Sequence, residues 1–328
     1  MPGPLWIIVL SYNGLVDTRR CLTSLESARH QATILMVDNA STEDEATIVQ
    51  AEFPWVRTLR NATNEGYAGG NNRGIEYAVR EGAEWIVLLN NDTVVAPDFA
   101  QRLKSAAAHA GRFGVIGPVI AYMDEPEQVR SDGCLFNVAG FPGFFQRQVV
   151  SVDVADAPVI AETDIVNGCC MMISASLVAA IGFIDEQFFL IHEESDYCLR
   201  ARNAGFACGI LAELLVWHKG SSSFRRAGNG LQRYYDVRNL VLLLSKHTGL
   251  RGRNKLATWY EYIRYAYFLY CIEREQGTEE SVTGVLDGIH DGLTSSFGRR
   301  ESRRRPFVAL LRGVLETKQR LRLSLRLR

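Results

Sequence analysis

Six short polar clusters, each lying against an apolar or helical run, hold the side chains able to do chemistry in this chain. Asn90-Asn91-Asp92 follows Trp85–Leu89. A carboxylate at the end of a buried strand is costly unless paired or bound to a cation, and oxygen donors of this kind suit Mg2+ or Mn2+ bridging a diphosphate; otherwise Asp92 caps the next turn through Thr93. Asp38-Asn39-Ala40-Ser41 ends a second run, where an acid either accepts hydrogen bonds from a base or ribose or caps the following helix. Ser11-Tyr12-Asn13-Gly14 ends a third. The segment Gly66 to Gly74 stands before a helical pattern and reads either as backbone amides offered to an anion or as a tight turn with a packed helix. It has neither the G-x-G-x-x-G nor the G-K-[ST] spacing of other phosphate-binding loops.

Glu193, Glu194 and Asp196 place three carboxylates within four residues, directly after Phe188-Phe189-Leu190-Ile191-His192. Like charges this close raise at least one pKa, which suits a general base, although an acidic helix N-terminus has the same composition. On a helix Glu193 and Asp196 share a face, and Glu194 is turned about 100° from Glu193. His218, which with Trp217 follows the run Ile210–Val216 interrupted by Glu213, is either a metal ligand through its neutral imidazole or a hydrogen-bonded residue.

The elements that must position these groups alternate. Leu5–Tyr12, Thr33–Asp38, Val56–Arg60, Trp85–Asn90 and Val115–Tyr122 read as strands, several apolar on both faces. Helical patterns occupy Val16–Ala28, Thr42–Glu52, Asn71–Arg80 and Asp98–Ala108, with Ser41 and Asp44 as a capping-box start for the second. Repeated β-α-β predicts a doubly wound, mostly parallel, Rossmann-like sheet flanked by helices, in which ligands gather beyond the carboxyl ends of the strands. Residues 123–165 lack periodicity and predict loops and irregular strands. Asn167–Ile181 reads as a strand entering a helix, Glu194–Asn203 as a short helix, Ala207–His218 as a strand, and Tyr234–Glu275 as an aromatic helical appendage. The expected division is 1–225 (with halves at about 1–122 and 123–225), 226–298 and a tail at 299–328.

Over 328 residues, 47% hydrophobic and 22% charged content excludes a disordered chain. The charges are unevenly spread: residues 299–328 hold eleven Lys and Arg against Glu301 and Glu316, leaving 25 basic and 35 acidic residues in 1–298. An acidic body does not invite nucleic acid. The basic tail, with Phe307, Leu310, Leu311, Val314 and Leu315 at helical spacing over 306–320, predicts either peripheral contact with an anionic membrane or packing on the acidic body or a partner subunit. The alternation after Leu321 fits a strand or a disordered end. Seven cysteines, two of them adjacent at Cys169 and Cys170, argue against a disulfide framework. Together with no signal-peptide pattern and no apolar run of about 18 residues, this predicts a cytoplasmic protein, at most peripheral at the inner face of the plasma membrane.

Taken in order, Val9-Leu10-Ser11-Tyr12-Asn13, Val37-Asp38-Asn39, Asn64-Glu65-Gly66-Tyr67-Ala68-Gly69-Gly70-Asn71-Asn72, Leu89-Asn90-Asn91-Asp92-Thr93, Gly182 to Phe189, Glu193-Glu194-Ser195-Asp196 and Trp217-His218 resemble the family 2 glycosyltransferases of the GT-A fold, and their bacterial rhamnosyltransferase-like branch in particular. The resemblance covers roughly residues 5–225. It implies inverting transfer of rhamnose or a similar hexose from a UDP- or dTDP-sugar to a hydroxyl of a glycan or lipid-linked glycan, in cell-surface polysaccharide or cell-wall synthesis, with Mg2+ or Mn2+ as cofactor. By that likeness Ser11, Tyr12, Asn13 and Asp38 hold the nucleoside. Asn64, Gly70 and Asn71 line the donor pocket, with Asn90 and Asn91 beside it. Asp92 is the last acid of the family's D-x-D, His218 the second metal ligand, and Glu194 the catalytic base. Asn90 replaces the first aspartate of that motif, and Glu194 stands where many relatives carry Asp. Should those two departures abolish turnover, the same residues describe a nucleotide-sugar-binding or membrane-associated scaffold protein.

Overall fold

The computed structural model describes residues 3–137, 144–151, 157–220, 229–248 and 255–326, with side chains as far as 319. Two compact units emerge: Met1–Phe136, Phe145–Phe189 and Glu193–Gly220 form the first, and Asn137–Phe144, Leu190–His192 and Ser221–Arg328 the second.

The first unit is built on a ten-stranded sheet. Its strands β1 (Leu5–Ser11), β2 (Thr33–Asp38), β3 (Arg57–Arg60) and β4 (Trp85–Asn90) pair in parallel in the order β4-β1-β2-β3, joined by helices α1 (Leu15–Ser24), α2 (Glu45–Glu52) and α3 (Gly66–Arg80). The period-two rule of an extended chain sorts the side chains of β1: Leu5, Ile7 and Val9 enter the core on one face, Trp6 and Ile8 the core on the other. Each such side chain, fully buried, contributes about 1.5–3 kcal/mol relative to exposure. A strand apolar on both faces has no solvated side, so β1 belongs at the centre of the sheet.

Beyond β4 the sheet becomes mixed. After β5 (Thr93–Val95), α4 (Phe99–Ala108) and β6 (Phe113–Tyr122) come three short strands, β7 (Val129–Ser131), β8 (Cys134–Phe136) and β9 (Phe145–Arg147), then β10 (Ile160–Thr163), β11 (Cys170–Ser174), helices α5 (Ala175–Ile181) and α6 (Glu193–Asn203), and β12 (Ala207–His218). The mostly parallel sheet expected from β-α-β alternation therefore holds for the first four strands, and β6 with β12 adds one further parallel pair. Between them β11 inserts antiparallel to both β4 and β6. The reversal has a consequence for the site: it brings the loop entering β11 to the carboxyl end of β4.

Local starts differ from the expected ones. Helix α2 is capped by Asp44, whose carboxylate accepts the Thr47 N–H, and not by Ser41. Ser41 is drawn instead to Asn13 N–H and Asp38. Helix α3 begins at Gly66, five residues before the expected Asn71.

The second unit is helical: α7 (Asn229–His247), α8 (Lys255–Gln276), α9 (Glu279–Leu293) and α10 (Val308–Arg326). The alternation after Leu321 does not make a strand; the backbone stays helical to Arg326. Leu and Arg are strong helix formers, and a period-two pattern makes a strand only where a sheet edge receives it. The basic stretch is also not free. Arg300 and Arg305 pair with Asp287, and Arg303 and Arg305 with Asp291; Arg312 pairs with Glu279, and Lys318 lies over the Tyr267 ring. The tail thus packs on acidic side chains of α9, and membrane contact through it draws no support from this arrangement, although Phe307, Leu310 and Val314 remain exposed. Burial raises the pKa of Asp291, but its bonds from Arg305, Arg303, Tyr234 and His290 outweigh this and hold it well below the usual carboxylate range. Its contribution to stability is therefore present above the unfolded value near 4 and is lost as pH falls through the lower folded one. Asp291→Asn strips Arg303 and Arg305 of that partner and should lower stability by about 2–3 kcal/mol at pH 7, read by denaturant unfolding, with the difference from the unmodified chain shrinking toward pH 2. A pH-independent difference would count against the ion pairs as its source.

Candidate active site

The register of the sheet sets the site. Ser11 stands opposite Asp38 across β1–β2, and Leu10 opposite Asn90 across β1–β4, so three strands end level. His218 pairs with Thr93 across β12–β5, which sets its ring beside Asp92.

Many of the polar groups at these strand ends turn inward. Ser11 is fully buried; its hydroxyl donates to Glu45 (2.5 Å) and lies 2.8 Å from the Thr18 hydroxyl. Asn91 donates to Thr18, Ser11 and the Gly14 carbonyl, fastening the β1–α1 turn. Asn13, at φ 49°, accepts the Thr42 N–H and donates its own to Ser41. Tyr12 and Asn13 are the exposed members, with Tyr12 44% accessible. Asn64 accepts from Gly66 N–H and from the Asn39 amide. These bonds fix the loops at the strand ends.

The glycine-rich segment needs a correction. Expected to offer amides to an anion near Gly70, it has already used them. Gly66 N–H donates to Asn64, those of Tyr67 and Ala68 to the Phe189 carbonyl, and that of Gly69 to Glu65. All four amides of the first helical turn are thereby satisfied. Gly66 is required for its φ of 71° and because a Cβ there would lie 2.3 Å from Phe189 O. Gly70 is a packing residue: a Cβ would stand 2.7 Å from Leu10 Cδ1 and 3.0 Å from Asn39 Nδ2. The tight turn with a packed helix is the reading the geometry takes.

What does remain available is a set of buried polar atoms without hydrogen-bond partners, among them Asp38 Oδ2, Asn71 Oδ1, Glu193 Oε2 and His218 Nδ1. Native interiors leave few such atoms, so each calls for a ligand, a water or a shared proton. Asp38 illustrates the division: Oδ1 accepts the Ser41 N–H at 2.8 Å, while Oδ2 lies 3.6 Å from Arg60 Nε. Asn71 spends its amide N–H on the Tyr67 carbonyl one turn back and keeps its acceptor unused.

Asp92 and His218 are both buried, with Oδ1 and Nε2 2.9 Å apart, and the Asn90 amide nitrogen lies 3.5 Å from the same ring nitrogen. A separation of this size is a hydrogen bond, and equally the edge between neighbouring ligands of an octahedral ion with bonds of about 2.1 Å. Among the described residues no group of three or more His, Cys, Asp and Glu side chains forms a closed cation site. Asp92 Oδ1 and His218 Nε2 are two adjacent donors of the types that divalent cations accept.

One loop ties this corner to the acidic helix. Cys169 O accepts the Asn90 N–H at 2.9 Å, Gly168 O accepts the Tyr67 hydroxyl at 2.5 Å, and a Cβ on Gly168 would lie 3.4 Å from that of Glu194. The loop is the one entering β11, which is why the reversal of that strand matters. Gly168 carries no signal of its own in the sequence, and Tyr67 only its place in the glycine-rich cluster, because the reversal of β11 is what brings the two together. Sequence reasoning does not single out Asn39 or Asn72 either. Asn39 bridges Asn61, Asn64, Glu65 and Gly66, and Asn72 holds Ile184 and Glu186; their place inside the glycine-rich and Asp38 clusters was the available signal.

The three carboxylates of α6 separate by environment. Asp196 is fully buried and bonded to Arg200 at 2.8 Å. Glu193 is buried, and burial, followed by the neighbouring Glu194 charge, pushes its pKa well up. Glu194 alone is partly exposed. Burial, then the charges of Glu193 and Glu194, also raises the Tyr67 phenol, which keeps it a hydrogen-bond donor. Because the folded chain holds the Glu193 proton more tightly than the unfolded one, its contribution to stability is full below the unfolded value near 4.3 and is lost as pH rises toward the folded value. Glu193→Gln cannot ionise, so its stability relative to the unmodified chain should increase from pH 5 to pH 8 in denaturant unfolding; a flat difference would mean that Glu193 ionises normally.

Comparison with known proteins agrees with this geometry. Residues 6–157 match the description "Glycosyl transferase family 2", and residues 85–271, more than half of the chain, match "Glycosyl transferase family group 2". The chain is 25% identical over 254 residues to the dTDP-rhamnosyl transferase RfbF of Shigella flexneri, spanning 75% of this chain and 82% of that protein. It is 26% identical over 273 residues to the N-acetylglucosaminyl-diphospho-decaprenol L-rhamnosyltransferase of Mycobacterium tuberculosis, with 76% and 87% covered. Among solved structures it is similar to GalNAc-T7 with UDP, GalNAc and Mn2+ (TM-score 0.56, 13% identity, 88% of this chain and 54% of that one) and to Staphylococcus aureus TarS 1–349 with UDP-GlcNAc (0.53, 13%, 90% and 82%), likenesses that speak to fold alone. With the sheet, the strand-end acids and both family descriptions in agreement, the chain belongs to the family 2 glycosyltransferases, in their rhamnosyltransferase-like branch.

Proposed function

We propose that this glycosyltransferase moves rhamnose or a similar hexose from a dTDP- or UDP-sugar to a hydroxyl of a glycan or lipid-linked glycan, with inversion at the anomeric carbon. The observation that carries the reading is the loop at 167–169, which accepts the Asn90 N–H two residues before Asp92 and lies against Tyr67 and the partly exposed Glu194. The dTDP-rhamnosyl transferase named above supports dTDP as the first carrier to test.

Asp92 and His218 would hold Mg2+ or Mn2+, which when bound supplies positive charge to a departing diphosphate. Asp38 Oδ2 would accept an N–H or O–H of the nucleoside, the group its orphaned oxygen lacks. Glu194 would take the proton of the acceptor hydroxyl as that oxygen bonds to the anomeric carbon and the carbon–oxygen bond to the diphosphate breaks. A single displacement of this kind inverts the centre, with positive charge developing on the sugar ring as in glycoside hydrolysis. The α3 amides, already bonded, take no part.

A panel of UDP- and dTDP-sugars, each with Mn2+ or Mg2+, tests the reading by release of the nucleoside diphosphate with and without a rhamnose- or N-acetylglucosamine-bearing glycolipid. Metal-stimulated release from one carrier class is expected. Tight binding across the panel without release from any member would favour the non-catalytic binding protein instead.

A further inference from the structure

Most arginines of the first unit face a carboxylate, as Arg102 does Glu213 and Arg147 does Asp132. Among the described residues of that unit, Arg20, Arg80 and Arg130 have no ion pair or side-chain hydrogen bond. Arg20 and Arg80 are exposed, where water serves them, whereas Arg130, in the middle of β7, is half-buried. Its surroundings are all in the first unit. The guanidinium carbon lies over the Tyr122 ring, 5.4 Å from its centre, and Tyr122 is the cross-strand partner of His218 between β6 and β12. A Cβ on Gly220 would run into Arg130 Nη1, which puts that nitrogen within about 4 Å of the Gly220 Cα. Gly220 follows His218 by two residues, a stretch of at most about 7 Å. The charge of Arg130 also reaches Cys169: burial, then Cys170 and Asp92, push that thiol up, and Arg130 opposes them. The carbonyl of Cys169 is the one that accepts the Asn90 N–H. Three separate neighbours therefore bring this guanidinium to the corner that holds Asp92 and His218.

A guanidinium over an aromatic ring turns its face to the π-system and leaves its N–H groups, which lie in its own plane, to acceptors at the rim. Donors half out of water and without an acceptor suit two oxygens of one phosphate, taken as a forked pair. Lys219, next to His218 in the chain, donates to Asp17 on α1 at 2.8 Å, so its charge is already engaged. In the proposed reaction the anion that comes to this corner is a diphosphate. As the bond from the anomeric carbon to the diphosphate oxygen breaks, its electron pair passes to that oxygen, and a fixed cation counts most where such charge develops. We propose that Arg130 is a catalytic residue that hydrogen-bonds the departing diphosphate of the sugar nucleotide, from the Tyr122 side of the Asp92–His218 pair. The inference rests on the reading of this corner as the site of glycosyl transfer.

The test uses the full chain with Mn2+ and the sugar nucleotide of the panel above that it turns over fastest. Arg130→Ala should lower kcat by about 10²–10³-fold, the usual loss when one donor to a developing negative charge is removed. In calorimetry it should weaken the matching nucleoside diphosphate by about tenfold while the unphosphorylated nucleoside binds as before. Arg130→Lys keeps the charge without the fork; it should recover about tenfold of the lost rate, and it supplies the answer if the alanine variant folds poorly. Arg20→Ala, which removes an exposed arginine of α1, should change neither rate nor affinity. Transfer is measured to an alkyl glycoside, which carries no phosphate, and to a lipid-diphosphate-linked glycan. Equal losses with both acceptors place Arg130 on the donor, whereas a loss confined to the second would overturn that assignment in favour of the acceptor's own diphosphate. Near-normal kcat in Arg130→Ala, or affinities for nucleoside and nucleoside diphosphate that fall together, would overturn the role altogether. No release by the unmodified chain from any sugar nucleotide would overturn the reading of the corner, and this inference with it, and that control is run first.

Discussion

Glu194→Gln should lower kcat by about 10²–10⁴-fold, the usual contribution of a general base, and leave donor affinity nearly unchanged. The expectation now has a structural reason beyond position in a motif. A base must reach a substrate proton, and of the three carboxylates in the first turn of α6 only Glu194 is partly exposed. Asp196 is enclosed and committed to Arg200, and Glu193 is enclosed with its proton held up the pH scale by burial and by Glu194 itself. Gln keeps the size and the hydrogen-bonding reach of Glu and removes only its basicity, so the loss reports proton transfer and not packing. Transfer kinetics with donor affinity measured separately for Glu193→Gln, Glu194→Gln and Asp196→Asn decide the matter. Collapse in one neighbour beside a near-normal Glu194 variant moves the base to that neighbour; three near-normal variants remove acid–base assistance from the mechanism.

Asp92→Ala should remove the other half of the proposed chemistry, the hold on a divalent ion. A bound divalent ion is worth several kcal/mol to a departing diphosphate, and each 1.4 kcal/mol is tenfold, so turnover should fall by roughly 10³-fold and become insensitive to added Mn2+. His218→Ala should weaken Mn2+ binding less, because an imidazole can be replaced in the shell by water more readily than a charge can. The independent readout is Mn2+ affinity by electron paramagnetic resonance in the presence of the nucleoside diphosphate. Full transfer by Asp92→Ala in the presence of EDTA would show that the 2.9 Å contact between Asp92 and His218 is an ordinary hydrogen bond with no catalytic part.

Much of this was legible in the chain itself. Strands apolar at every position, such as Ile7 to Leu10 and Ile86 to Leu89, have nowhere to go but the middle of a two-sided sheet, and polar residues at their ends must then gather at one edge. That logic placed Ser11, Asp38, Asn90 and Asp92 together before any coordinate. Charge crowding in Glu193-Glu194-Ser195-Asp196 likewise announced a raised pKa, since repulsion between adjacent carboxylates is a local fact.

Tertiary structure alone decided what each polar group was for. Whether Asn91 faces a ligand or fastens the Gly14 turn depends on Thr18, 73 residues away, and no local pattern encodes that distance. The amides of α3 look open in the sequence, and two of them, Tyr67 and Ala68, are closed by Phe189, a residue distant in the chain. Which of three neighbouring carboxylates keeps solvent is likewise set by what packs around α6 and not by their order. The tail is the plainest case: its arginines carry the same charge wherever they go, but Asp287 and Asp291 on α9 offer a nearer partner than any surface outside the chain. Spacing and composition determine which residues can do chemistry, because those are properties of the chain. Occupancy of hydrogen-bonding capacity determines which of them still can, and that is settled only when distant segments meet.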